Sequence, residues 1–123
     1  TFLDMFILNA KKGIIFNNQG IYKDFVPLGL LCKSIYLLIK ANANGVYNIS
    51  LGKKVYLNDL TNWLNYYNKT SWKKINFIAN KTTNENQDNF YLNNTKLRRK
   101  IDIKIKLIDL KKECKKVKKK IFL

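Results

Sequence analysis

Few side chains in this sequence can do chemistry, and the missing types decide as much as those present. There is no histidine, which removes Ser-His-Asp triads, Cys-His pairs and histidine-ligated metal sites together. Cys32 and Cys114 are the only thiols. Two thiols complete neither a structural zinc site nor a disulfide framework, so reduced thiols in a cytoplasmic setting are the expectation. What remains is anion chemistry. Of the 24 basic residues, only Arg98 and Arg99 carry the planar fork that grips phosphate through paired hydrogen bonds; the rest are lysines. Asp24 is placed either to orient a bound substrate or to hold a neighbouring backbone amide. Asn48 has the same two options, with the backbone role favoured.

The formal charge is +16 on 123 residues. Residues 1–95 hold 11 basic and 5 acidic groups, whereas residues 96–123 hold 13 and 3, so the excess of +10 over +6 sits in the shorter C-terminal part. A basic tail of this kind fits phosphates of a nucleic acid or an anionic membrane surface. Composition favours a plainer origin. Lysine, asparagine and isoleucine are abundant, and all three have AT-rich codons, whereas nucleic-acid sites draw heavily on arginine. Nucleic acid is therefore an unfavoured partner, kept as an alternative: a lysine-rich module acting through residues 96–120. No apolar run approaches the roughly 18 residues of a membrane span, and no signal peptide is visible.

Helices and short strands alternate in the pattern, so the class is α/β or α+β. Phe2 and Phe6 share a helical face within 1–10, and Lys12-Gly13 is a stop. Ile14 to Phe16 reads as a strand and Asn17 to Gly20 as a turn. Pro27 holds Val26 extended. Leu28, Leu31, Ile35 and Leu38 are spaced as the buried stripe of a helix that ends near Lys40 and is broken by Asn42 to Gly45. Gly45 to Ile49 reads as a strand and Ser50 to Gly52 as a turn. Leu57, Leu60, Trp63 or Leu64, and Tyr67 mark a second helix. A strand falls within Trp72 to Ala79, and a polar loop follows over 80–89. Asn93 or Asn94 caps a short helix carrying Leu97. Ile101, Ile103, Ile105 and Leu107 alternate as a strand or extended segment. Leu107, Leu110, Cys114, Val117 and Ile121 form the apolar face of a last helix whose other face is almost pure lysine. Trp63, Tyr67 and Trp72 are expected in the core. The Asn-x-Ser/Thr sites beginning at Asn48, Asn68, Asn80 and Asn93 are by-products of abundant asparagine.

Four stretches in order carry a resemblance. They are Lys23-Asp24-Phe25-Val26-Pro27, Gly45-Val46-Tyr47-Asn48-Ile49-Ser50-Leu51-Gly52, Val55-Tyr56-Leu57-Asn58-Asp59-Leu60, and Asp88 with Tyr91-Leu92-Asn93-Asn94-Thr95-Lys96-Leu97. Together they resemble the C-terminal part of an NAD-dependent epimerase/dehydratase of the extended short-chain dehydrogenase/reductase family. That family carries an Arg-Asp-Phe/Tyr-Ile/Val segment, then a Gly-x-Tyr-Asn strand with a Gly-Ser-Gly turn, a Val-Ser-Leu-x-Glu-Leu helix start, and a late Asp-x-Ser-Lys-Leu segment. The likeness covers most of residues 2–115. The departures are specific. Lys23 stands in place of arginine, keeping the charge and losing the fork. Leu30 stands near a family aspartate. Ser50-Leu51-Gly52 replaces Gly-Ser-Gly, Thr83 to Gln87 offers no arginine, and Ile101-Asp102-Ile103-Lys104 replaces a Gly-x-x-Pro.

The resemblance implies that residues 1–123 are the substrate-side portion of a Rossmann-type enzyme, about its C-terminal third, with the NAD-binding part lying upstream. The implied activity is epimerisation, dehydration or reduction of a nucleotide sugar, of the kind that supplies cell-surface polysaccharide. NAD or NADP would serve the complete enzyme, for which a homodimer is an option; this chain alone would bind neither cofactor. The glycines at 13, 20, 29, 45 and 52 lack the spacing of a dinucleotide turn. Tyr36 and Lys40 match the family's Tyr-x-x-x-Lys spacing, but they follow the Lys23-Asp24 segment, on the wrong helix for that family. The expected catalytic set is therefore empty, and the substrate contacts are Lys23 and Asp24, with Arg98 and Arg99 as further candidates. A gene product without a function of its own is a third reading.

Overall fold

The computed structural model describes residues 8–9, 11–12, 14–17, 20–67, 76–79 and 89–122. The expected helix over 1–7, Gly13, Trp72, the loop over 80–88 and the sites at Asn68 and Asn80 lie outside them. Among the described residues the chain is mixed α/β, as the alternation predicts. Strand β1 (Ile14–Asn17) pairs in parallel with β4 (Asn76–Ala79). Strand β2 (Tyr22–Lys23) pairs antiparallel with β3 (Val55–Tyr56), setting Lys23 opposite Val55. This second ladder is only two residues long and has no periodicity for sequence to show.

Helix α1 (Leu28–Lys40) starts behind Pro27, whose carbonyl accepts the Leu30 and Leu31 amides. Proline lacks the N–H that a helix start would leave unpaired, and its φ of −59° suits the entry. The helix closes on Asn42, which adopts φ +45°. The Ala43 amide then bonds the Leu38 carbonyl and the Asn42 amide bonds Ile39, the paired closure of a Schellman motif. The buried face is not the expected stripe. Leu30, Ser34, Leu37 and Leu38 turn inward, whereas Leu28 is 72% exposed and Ile35 45%. This helix is apolar on more than one side, so spacing alone does not choose the inner face. Ser34 is fully buried and is satisfied by donating to the Leu30 carbonyl at 2.7 Å.

Helix α2 (Leu57–Tyr67) and helix α4 (Leu107–Phe122) pack on each other. Leu51, Val55, Leu57, Leu60 and Leu64 meet Leu110 and Cys114 in one core cluster, with Trp63, Tyr67, Leu107 and Val117 at its margin. Leu64, not Trp63, is the fully buried member. Short helix α3 (Thr95–Lys100) drives Leu97 into a second cluster with Ile101 and Ile103. The alternation over 101–107 is an extended, unpaired segment. Its odd positions Ile101 and Ile103 are buried, and its even positions Asp102, Lys104 and Lys106 are exposed.

The expected strand over Gly45 to Ile49 is absent. Its neighbours reach it through side chains instead of a backbone ladder: Asn48 Nδ2 donates to the Asn93 carbonyl at 3.0 Å, and Lys96 Nζ to the Val46 carbonyl at 2.8 Å. No described helix is long and apolar enough to cross a membrane.

Candidate functional site

Asp24 is the point where distant segments meet. It follows β2 and lies three positions before Pro27. Its Oδ1 accepts the Leu51 amide at 2.8 Å. Its Oδ2 accepts the Gly52 amide at 3.1 Å and the Leu92 amide at 3.0 Å. Three backbone donors from two remote segments thus converge on one carboxylate, bonds of the stronger charge-assisted kind. Of the two roles open to Asp24 in sequence, the backbone-holding role is the one seen in these contacts.

The segment 89–94 is stitched down around that point. Asn89 accepts the Tyr22 amide at 3.0 Å and donates to the Gly20 carbonyl at 2.9 Å. Ser50 Oγ donates to the Leu92 carbonyl at 3.3 Å, and Asn94 Nδ2 to the Ser50 carbonyl at 2.9 Å. Asn48, as its favoured reading has it, bonds backbone. Gly52 has to be glycine: its φ is +72°, and a Cβ there would lie 2.9 Å from three atoms of the Asn94 side chain.

Above this framework lies an aromatic and cationic face. Lys23 Nζ sits 4.9 Å from the centroid of Phe90. Lys54 Nζ lies 4.7 Å from Tyr22 and 5.7 Å from Tyr91. Tyr22 and Tyr56 meet edge to face at 5.7 Å. Phe90, Tyr91 and Tyr56 are all exposed. Flat exposed rings beside ammonium groups can stack a base or sugar and neutralise a phosphate. Lys54, Phe90 and Tyr91 are functional candidates that sequence reading missed. The run Asn89-Phe90-Tyr91, placed beside the late motif, was the available signal.

Arg98 and Arg99 do not join this face. Both are exposed on α3, and they line different hollows. Arg98 borders a cavity of about 450 Å³ with Lys53, Lys104 and Lys106. Arg99 borders a hollow of about 510 Å³ with Tyr47, Asn93, Thr95, Lys96 and Lys100. There Lys96 Nζ caps the Tyr47 ring at 4.5 Å. Lys23 and Asp24 line neither hollow, so the four expected contacts are divided among three places.

Tyr36 and Lys40 both face solvent on α1, the surroundings of an ordinary helix surface. On α4, Leu110 and Cys114 pack inward while Lys112, Lys115 and Lys116 are exposed. Lys116 bonds Glu113 at 2.6 Å, and Lys111 Nζ sits 5.1 Å from the Trp63 ring. Burial pushes the Cys114 thiol up from its ordinary 9.0 to about 11, which keeps it protonated and unreactive at neutral pH. Cys32 is exposed.

No cluster of three or more histidine, cysteine or acidic residues able to hold a metal occurs among the described residues. A dinucleotide does not fit them either. It needs a glycine-rich turn opening a helix, so that backbone can approach the pyrophosphate. Here α1 is opened by Pro27 and α2 follows β3 directly. Comparison with protein-family models, with curated proteins and with solved structures returns no match.

Proposed function

We propose that this chain is the substrate-binding portion of an NAD(P)-dependent nucleotide-sugar epimerase, dehydratase or reductase. One observation carries the reading. The Lys23-Asp24 segment, the stretch from Gly45 to Gly52 and the late segment holding Leu92 resemble that family separately in sequence, and the Asp24 carboxylate ties all three together. Asp24 serves as the positioning residue. Lys23 and Lys54 supply positive charge for a diphosphate, and Phe90 and Tyr91 supply rings for the nucleoside. Hydride transfer is assigned to none of the described residues.

The test is a calorimetric titration of the whole chain with a panel of nucleoside-diphosphate hexoses. Lys23→Gln should weaken binding about tenfold, the scale of one lost charge-assisted contact. Lys23→Arg should retain or tighten it, because the fork returns. Absence of binding at millimolar concentrations, or binding indifferent to Lys23, overturns the proposal. Tight, salt-sensitive binding of an oligonucleotide with no hexose binding would favour the lysine-rich tail reading instead.

A further inference from the structure

Arg98, Lys53, Lys104 and Lys106 come from three separate stretches of chain and border one cavity of about 450 Å³. The turn after Ser50 brings Lys53, α3 brings Arg98, and the extended segment before α4 brings Lys104 and Lys106. The floor includes Leu51, which is 4% exposed, and Ile105. Among the described residues no acidic side chain lines the cavity.

Two carboxylates beside the cavity bond backbone amides and not these cations. Asp24 is bound to the Leu51 and Gly52 amides, and Asp109 Oδ2 accepts the Lys106 amide at 2.9 Å. Among the described residues, none of the four cationic side chains has a hydrogen-bond or ion-pair partner. Some lysines elsewhere are occupied, since Lys96 bonds a carbonyl and caps a ring, Lys54 lies over two rings, and Lys116 pairs with Glu113, whereas Lys33, Lys40, Lys112 and Lys115 stand exposed without a partner among the described residues; what sets these four apart is that they share one concavity.

Like charges gathered in a concavity with a low-dielectric floor focus a positive field and draw in an anion. An arginine fork among lysine point charges matches a phosphoryl group, which accepts paired bonds from one and single bonds from the others. The space exceeds a bare phosphate and falls within the range of small-molecule sites. Its apolar floor suits the organic body of an ester.

We infer that this cavity is a binding site for a small phosphoryl anion, with Arg98 as the principal contact and Lys53, Lys104 and Lys106 supporting it. The site goes beyond the nucleotide-sugar reading. It shares the 51–52 turn with Asp24 and contains neither Lys23 nor the aromatic face.

The experiment is a heteronuclear NMR titration of the whole chain with inorganic phosphate, pyrophosphate and a hexose phosphate in turn, at fixed ionic strength. Saturable amide shifts at 51–53, 98 and 104–108 are the expected result. Strongest binding by the hexose phosphate identifies an ester site, and strongest binding by pyrophosphate a diphosphate site; either supports the inference. Arg98→Gln should weaken the best probe about tenfold, Arg98→Lys less, and Lys112→Gln on α4 not at all. The Arg98 side chain is exposed, so these variants should fold, and dispersion of the same spectra checks that. Shifts spread evenly over the α4 lysines, equal affinity in Arg98→Gln, or no saturation by any probe overturns the inference.

Discussion

Asp24 and Arg98 stand beside the same turn and are treated oppositely by the fold. The acid has every bond that it needs: both carboxylate oxygens are occupied by backbone amides drawn from 27 to 68 positions away. The base has a side chain with no partner among the described residues, in company with three lysines that have none there either. A charge with its bonds completed by backbone is a structural device, because moving it would orphan amides that nothing else satisfies. Charges held near one another without partners do nothing for the fold. They remain available to something that arrives. In a chain with three times as many basic as acidic residues, charge alone separates structure from function poorly. Its state of pairing separates them better.

The largest effect should come from the acid. Asp24→Ala removes three charge-assisted bonds and leaves the Leu51, Gly52 and Leu92 amides unpaired. About 3 kcal/mol of stability should be lost, read as a lowered urea midpoint. Asp24→Asn keeps one acceptor oxygen and should cost roughly half as much. A loss below about 0.5 kcal/mol for Asp24→Ala, the range of ordinary surface changes, would abolish the contrast.

Next comes the turn itself. Gly52→Ala forces a Cβ into a left-handed backbone and against the Asn94 side chain, which holds the Ser50 carbonyl. A loss of about 2 kcal/mol is expected. Adding Asn94→Ala should relieve the clash and leave the backbone strain. The double mutant should therefore be less destabilised than the two single losses predict, by about 1 kcal/mol. Strict additivity would mean that the close approach does not matter.

These two sites also show what was legible in the sequence. The start and end of α1 were readable because Pro27 and Asn42 act through their own backbone. The inner faces of α2 and α4 were readable because polar residues occupy the other sides. The inner face of α1 was not, since apolar residues lie on both. At the site, the segments carrying Lys23, Asp24 and Leu97 stand out as motifs. The bonds that join them do not, because Asp24 chooses partners across chain separations that no local pattern records. The grouping of Lys53 with Arg98 and Lys104 is of the same kind. The missing strand over Gly45 to Ile49 shows the converse: β propensity was present, and side-chain bonds from Asn48 and Lys96 took the place of a ladder.

A smaller effect is expected within the core, where pairing and burial part company. The Cys114 thiol is buried without a charge partner, and its pKa lies near 11 against 9.0 when unfolded. Between those two values the unfolded chain has released this proton and the folded chain has not. The native state then binds more protons, so stability must fall as pH rises through that window. Below pH 9 both states hold the proton and the contribution is flat. Cys114→Val keeps an apolar occupant and removes the titration. The difference in urea midpoint between wild type and variant should drift with pH between 9 and 11 and stay constant from 6 to 8. Subtracting the two proteins cancels the lysines and tyrosines that titrate alongside. A constant difference throughout would show that the thiol ionises equally in both states.

The smallest effect should come from the cationic cavity, and there the sign carries the information. Arg98→Gln with Lys104→Gln deletes two exposed, unpaired charges from a strongly basic protein. No hydrogen bond among the described residues is broken, and the aliphatic part of each side chain is largely kept. Relief of mutual repulsion should leave the urea midpoint unchanged or raise stability by a few tenths of a kcal/mol, more at low salt than at high salt because screening already weakens the repulsion. The same double variant should lose phosphoryl binding. Binding lost without stability lost is the signature of side chains kept for a ligand. If this variant were destabilised as severely as Asp24→Ala, the four cations would be part of the scaffold, and the two sides of the turn would be doing the same work.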